Sequence, residues 1–81
     1  MSSQDLAANY LLDLGGLVRE LALQAKQEYQ DKRSSEDAQF LLGRLGALHE
    51  VVSLMQQQAI AFSLSLKDVS LEGIDPDRDL L

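Results

Sequence analysis

His49 is the one histidine of the chain, and histidine is the side chain that changes charge near neutral pH, so acid–base chemistry is sought there first. A general base also needs a group that orients it and a nucleophile or water to act on. Ser53 follows one helical turn later, but the chain has no cysteine and no carboxylate converges on His49 at helical spacing. It therefore reads as a histidine at the edge of a helix core, beside Leu48 and Val52. The Glu-x-x-His pairs of di-iron bundles are absent, and so are clustered Glu-x-x-Glu carboxylates of the kind that hydrolyse nucleotides. The pair Gly15-Gly16 lies inside a helical pattern, without the lysine and preceding strand of a phosphate loop. No catalytic, cofactor-binding or metal-ligating residue is assigned, and an enzyme is the last expectation.

Two other groups have suggestive spacing. Asp75, Asp77 and Asp79 alternate like the first ligands of a calcium loop, but that loop needs glycine at its sixth position, which here is Leu80. They read as a solvated acidic tail or a short partner-binding peptide ending in Leu80-Leu81. Arg19, Lys26 and Arg44 interrupt otherwise apolar helical stripes. The preferred reading has each lay its stem over an interface and pair with Glu20, Glu50 or a carboxylate of a second subunit. The alternative gathers them with Tyr10 or Tyr29 beside a groove for an anionic ligand or an acidic partner segment.

Those side chains must be carried by elements that a chain of 81 residues can build. At 46% hydrophobic residues it is too apolar for ordinary disorder. At this size it buries only about 60–65% of its unfolded surface, so a second copy or a partner is expected to complete the core. Without cysteine, neither disulfides nor thiolate zinc can supply that help. Thirteen acidic residues against seven basic ones give a net charge of −6, which repels a phosphate backbone and disfavours a general nucleic-acid coat. The start Met1-Ser2-Ser3-Gln4-Asp5 shows no basic leader before an apolar segment, and no run approaches the roughly 18 apolar residues of a membrane span. A cytoplasmic protein without a membrane anchor is the expectation.

Two stretches carry helical periodicity. From about residue 4 to 31, Ala7, Leu11, Leu14, Val18, Leu21 and Ala25 form one stripe. From about 35 to 66, Ala38, Leu41, Leu45, Leu48, Val52, Met55, Ala59, Phe62 and Leu66 form another. Between them lies Gln30-Asp31-Lys32-Arg33-Ser34-Ser35-Glu36-Asp37. Its cations suit the end of helix one, and Ser34 or Ser35 is expected to cap helix two with Glu36 and Asp37 in the first turn. So short a joint forces the helices antiparallel. The fold expected is all-α: a two-helix hairpin over residues 1–66 and an acidic tail over 67–81. A three-helix bundle results if helix one breaks at Gly15-Gly16, but the stripe keeps phase across that pair. Ala8, Gly15 and Ala22, small residues seven apart, read as a packing surface that another helix backbone can approach. In the tail, Asp75-Pro76 suits a turn or a short helix capped by the aspartate, and Leu66, Val69, Leu71 and Ile74 are apolar enough to fold back over the open end of the hairpin or over a partner's.

A hairpin with a single seam should be polar elsewhere, and this one is not. Helix two carries Phe40, Ala47, Val51, Leu54 and Ala61 on a second face, and helix one carries Ala8, Leu12, Gly15, Ala22 and Tyr29. Burying six such side chains gains on the order of 10 kcal/mol before entropy is subtracted. The expected result is a homodimeric four-helix bundle whose interface includes Leu12, Gly15, Phe40, Ala47, Val51 and Leu54. Coverage of part of that face by the tail is the alternative. The function expected is a small protein-interaction module, an adaptor or regulator that binds another protein. Two alternatives stand beside it. The dimer resembles in general architecture, with no shared motif, the plasmid copy-number protein Rop, which implies RNA binding if the basic residues share a face. A binder of a small anionic ligand such as a nucleotide would use Arg19, Lys26, Arg44 and Tyr10.

Overall fold

The first helix, α1, runs unbroken from Ser3 to Asp31, through both glycines, and this settles the architecture as a hairpin. A computed structural model describes residues 3–81 of the chain; Met1 and Ser2, on which the expectation about a leader partly rests, lie outside them. Helix α2 spans Ala38–Ala61 and packs antiparallel along α1. A 3-10 turn at Leu66–Val69 and a one-turn helix, α3, at Pro76–Asp79 complete the described elements. No helix among the described residues is long and apolar enough to cross a membrane.

Helix α2 starts and stops inside the expected 35–66, and each boundary has a local cause. At the start, the Ser35 hydroxyl accepts the Asp37 N–H at 3.2 Å and donates to the Lys32 carbonyl at 2.7 Å. That closes a side-chain turn rather than a helix cap. Glu36 and Asp37 thus belong to the joint, and the helix begins at Ala38. At its end, Ser63 adopts a left-handed φ of 59°. Its N–H reaches the Ile60 carbonyl at 2.9 Å, and the Leu64 N–H reaches that of Ala59 at 2.8 Å. This is the paired closure of a Schellman motif, built on serine where glycine is usual. Phe62 and Leu66, assigned to the stripe, therefore lie beyond the helix.

The core sits where the two helices and the returning tail meet. From α2 it takes Leu41, Leu45, Val52 and Ala59, all buried, flanked by half-buried Leu48 and Met55. These follow the expected stripe. Helix α1 does not follow it as closely: Ala22 and Ala25 are buried and Val18 and Tyr29 half-buried, whereas Leu11 and Leu21 are 38% and 45% exposed. Its buried arc is turned roughly 40° from the stripe, at about 100° per residue. The tail is the reason. Val69, Leu71, Ile74 and Leu80 fold back and are buried against the hairpin, so α1 must serve α2 and the tail together.

The tail approaches closely at one point. A Cβ added to Gly15 would lie 1.7 Å from the Val69 carbonyl oxygen, inside any tolerable contact. The small-residue surface of α1 thus admits the tail backbone at Gly15 and not the second helix backbone expected there. Gly73, at φ 77°, then lets the chain turn between Leu71 and Ile74 without the strain another residue would meet there.

Gly15→Ala is expected to lower stability by about 1–3 kcal/mol, because the tail backbone must shift to admit the methyl group. Gly46→Ala, where an added Cβ meets nothing within 4 Å, is expected to raise it by up to about 1 kcal/mol through helix propensity. Urea unfolding of the two variants gives both signs.

Candidate functional site

The side chains with the means for chemistry are the ones that hold the tail down. On α1, the Arg19 guanidinium donates to the main-chain carbonyls of Ser70 and Glu72, and the Lys26 ammonium donates to the main-chain oxygen of Leu81. The Ser70 hydroxyl returns a bond to the Leu12 carbonyl at 2.8 Å. On α2, the Gln56 amide donates to the Leu71 and Ile74 carbonyls at 3.1 and 2.8 Å. His49 Nε2 meets Asp77 Oδ1 of α3 at 2.9 Å. The tail buries apolar side chains against the hairpin, and the carbonyls brought down with them lose water and find donors there, which these residues supply.

This arrangement accounts for the tail aspartates too. Asp75 caps α3, its carboxylate accepting from the Asp77 and Arg78 N–H groups at 3.0 and 3.3 Å. Asp79 accepts the Asp75 N–H at 2.8 Å and two bonds from Arg78. Asp77 faces His49. Among the described residues no group of three or more histidine, aspartate or glutamate side chains is gathered as a metal would need. The hydrogen bonds from Arg78, with that from the Asp75 N–H second, hold the Asp79 carboxyl at about 2, below its ordinary 3.8.

The cationic constellation is divided by the fold. Arg19 and Lys26 lie under the tail, while Arg44 lies across the other side of the hairpin, 3.0 Å from Glu28 and from neither Glu20 nor Glu50. Tyr10 is 65% exposed, roughly 180° around α1 from Arg19. The four do not converge on one groove. Lys32 and Arg33 add charge only at the joint.

What the fold does gather is apolar surface on the face that the tail leaves open. Val51 and Leu54 lie roughly 150° around α2 from His49 and Gln56, and Leu17 and Leu21 roughly 160° around α1 from Arg19. Phe40, Ala47, Val51 and Leu54 are exposed there, Phe40 at 73%, beside Tyr10, Leu17 and Leu21. The expected interface is therefore split. Its four members from α2 share this face, but Gly15 is buried beneath Val69, and half-exposed Leu12 sits at the tail side, because the tail has taken that side of α1. In their place α1 presents Leu17 and Leu21, the second of them assigned to the core stripe. Their spacing with Leu6 and Tyr10, at 6, 10, 17 and 21, is itself a helical stripe. A smaller apolar cleft of about 420 Å³ opens at the far end of the hairpin among Leu11, Met55, Ala59, Phe62, Leu64 and Val69; it holds no charged group.

Gln56→Leu leaves the Leu71 and Ile74 carbonyls without their donor and is expected to cost about 1–3 kcal/mol, seen as faster amide exchange in residues 66–80 than in the hairpin. For Asp79 the folded-state carboxyl titrates lower than the unfolded one, so its contribution is complete above about pH 4 and fades as pH falls through about 2. The Asp75 amide resonance is expected to report that transition by NMR and to lose it in Asp79→Asn.

No protein-family model matches the chain, and neither does any curated protein or solved structure, so the geometry alone carries the functional reading.

Proposed function

We propose that this protein is a cytoplasmic, non-enzymatic helical module that works by presenting an apolar helix face to another polypeptide. The observation that carries this is the contiguous exposure of Tyr10, Leu17, Leu21, Phe40, Val51 and Leu54 on the side away from the tail. Scattered exposed leucines are ordinary, but a contiguous apolar face is the mark of an interaction site. The tail sharpens the contrast: it covers one side of a two-helix layer with buried side chains and satisfied carbonyls, and the other side has no such cover. The non-enzymatic part rests on His49, Arg19, Lys26 and Asp77 being engaged in bonds that hold the tail, and on Asp75 and Asp79 being engaged within α3. Binding of RNA or of an anionic ligand draws no support from cations placed under the tail, on the open face and at the joint.

A photoreactive phenylalanine analogue placed at Phe40 or Leu54, in cells of the protein's own host, tests this. Adducts with polypeptide are expected from both positions and not from Glu72 on the tail. Adding Val51→Glu is expected to reduce them about tenfold or more, the effect of removing at least 1.4 kcal/mol of binding. Equal adducts from Glu72, or none from the open face, would remove the proposal.

A further inference from the structure

We infer that the polypeptide seated on the open face is a second copy of this chain, related by a twofold axis parallel to the helices, so that α1 of each copy lies over α2 of the other. This rests on the interaction-module reading above and names its partner.

The area is of the right size. With an aromatic side chain counted at about 150–250 Å² and leucine and valine at less, the exposed fractions of Tyr10, Leu17, Leu21, Phe40, Val51 and Leu54 leave roughly 600 Å² of apolar surface. Ala47 and the stems of Arg44 and Glu28 bring this close to the about 800 Å² that each partner contributes to a standard interface. The chain is elongated, 49 × 22 × 16 Å, with the tail packed on one long side of the hairpin. Joining two copies by their open sides turns a two-helix layer into a four-helix bundle with a common interior.

Charge selects the partner and its orientation. The polar interruption bridging the two helices on this face is the Glu28–Arg44 pair, 3.0 Å apart and partly buried, with side chains 39% and 30% exposed. A twofold contact requires a surface that complements itself. With the axis parallel to the helices, level is preserved and the helices exchange sides, so Glu28 meets Arg44 of the second copy and Arg44 meets its Glu28. Two pairs then become a closed quartet of alternating sign, while Leu17 and Leu21 come to the level of Ala47, Val51 and Leu54 of the other copy. With the axis across the helices, α1 lies over α1 and α2 over α2. Arg44 and Glu28 then face either apolar residues or their own like-charged copies, both of which cost free energy at a buried contact. A face that carries one acid and one base at the same level, one on each helix, is thus self-complementary in a single twofold arrangement.

The test uses the full chain at micromolar concentration, with mass by light scattering and native mass spectrometry. Wild type is expected at twice the chain mass. Leu54→Glu, at a site 63% exposed in the single chain and so harmless to its fold, is expected to raise the dissociation constant about 100-fold with unchanged helical circular dichroism. Arg44→Glu and Glu28→Arg are each expected to weaken self-association. Mixed together, they are expected to form the one-to-one heterodimer in clear excess over either homodimer, since their quartet restores opposite signs across the interface. A dimer indifferent to Leu54→Glu would overturn the inference, and so would statistical mixing of the two charge variants. A wild-type monomer would overturn it as well; adducts of a different protein at Phe40 and Leu54 would then leave the interaction-module reading standing, whereas their absence would remove both.

Discussion

The close approach of the Val69 carbonyl to Gly15 is the contact on which the rest of the molecule depends. A tail backbone can lie flat on a helix only where the helix has no side chain, and Gly15 provides that place midway along α1. Once Val69 is seated there, Leu71, Ile74 and Leu80 are carried into the groove beside α2 and become buried. Their burial supplies the apolar area that a two-helix layer lacks. A glycine inside a helix ordinarily weakens it by up to about 1 kcal/mol; here the weakness is offset by the core that the glycine admits.

Burying the tail creates a second requirement, because its carbonyls come with it. Arg19, Lys26 and Gln56 meet that requirement from the hairpin, the Ser70 hydroxyl donates to the Leu12 carbonyl of α1, the Asp75 carboxylate accepts the first N–H groups of α3, and His49 ties α2 to α3 through Asp77. The polar residues best suited to catalysis or ligand capture are in this way the fastenings of a strap. The sidedness of the molecule follows. One broad side is crossed by the tail, through apolar burial and hydrogen bonds, with Leu12, Leu42 and Ile60 exposed beside it, and the other keeps its leucines and aromatics in water with an ion pair among them.

The helices and their stripes were legible in the residues because side-chain spacing of three and four maps directly onto one side of a helix. Leu41, Leu45, Val52 and Ala59 are buried where that spacing puts them. The end of α2 was not legible, because the left-handed residue that closes it is Ser63, and nothing local distinguishes it from the serines around it. Nor was the turned arc of α1: Gly15 and Ala22 weigh little in any apolar pattern, yet small size is what the tail requires of them. Leu21 was misassigned for the converse reason. A leucine looks like core wherever it falls, and only the position of the tail shows which side of α1 is already occupied.

Local information in the sequence therefore determined the all-α class, the two long helices, the joint near Ser34-Ser35 and the capped turn at Asp75-Pro76, since each is set by interactions within a few residues. Tertiary structure alone decided which of the apolar faces is closed. That choice is made by contacts more than fifty residues apart, Arg19 with Glu72 and Ser70 with Leu12. No spacing along the chain encodes such pairs, because they exist only once the tail has turned back over Gly15.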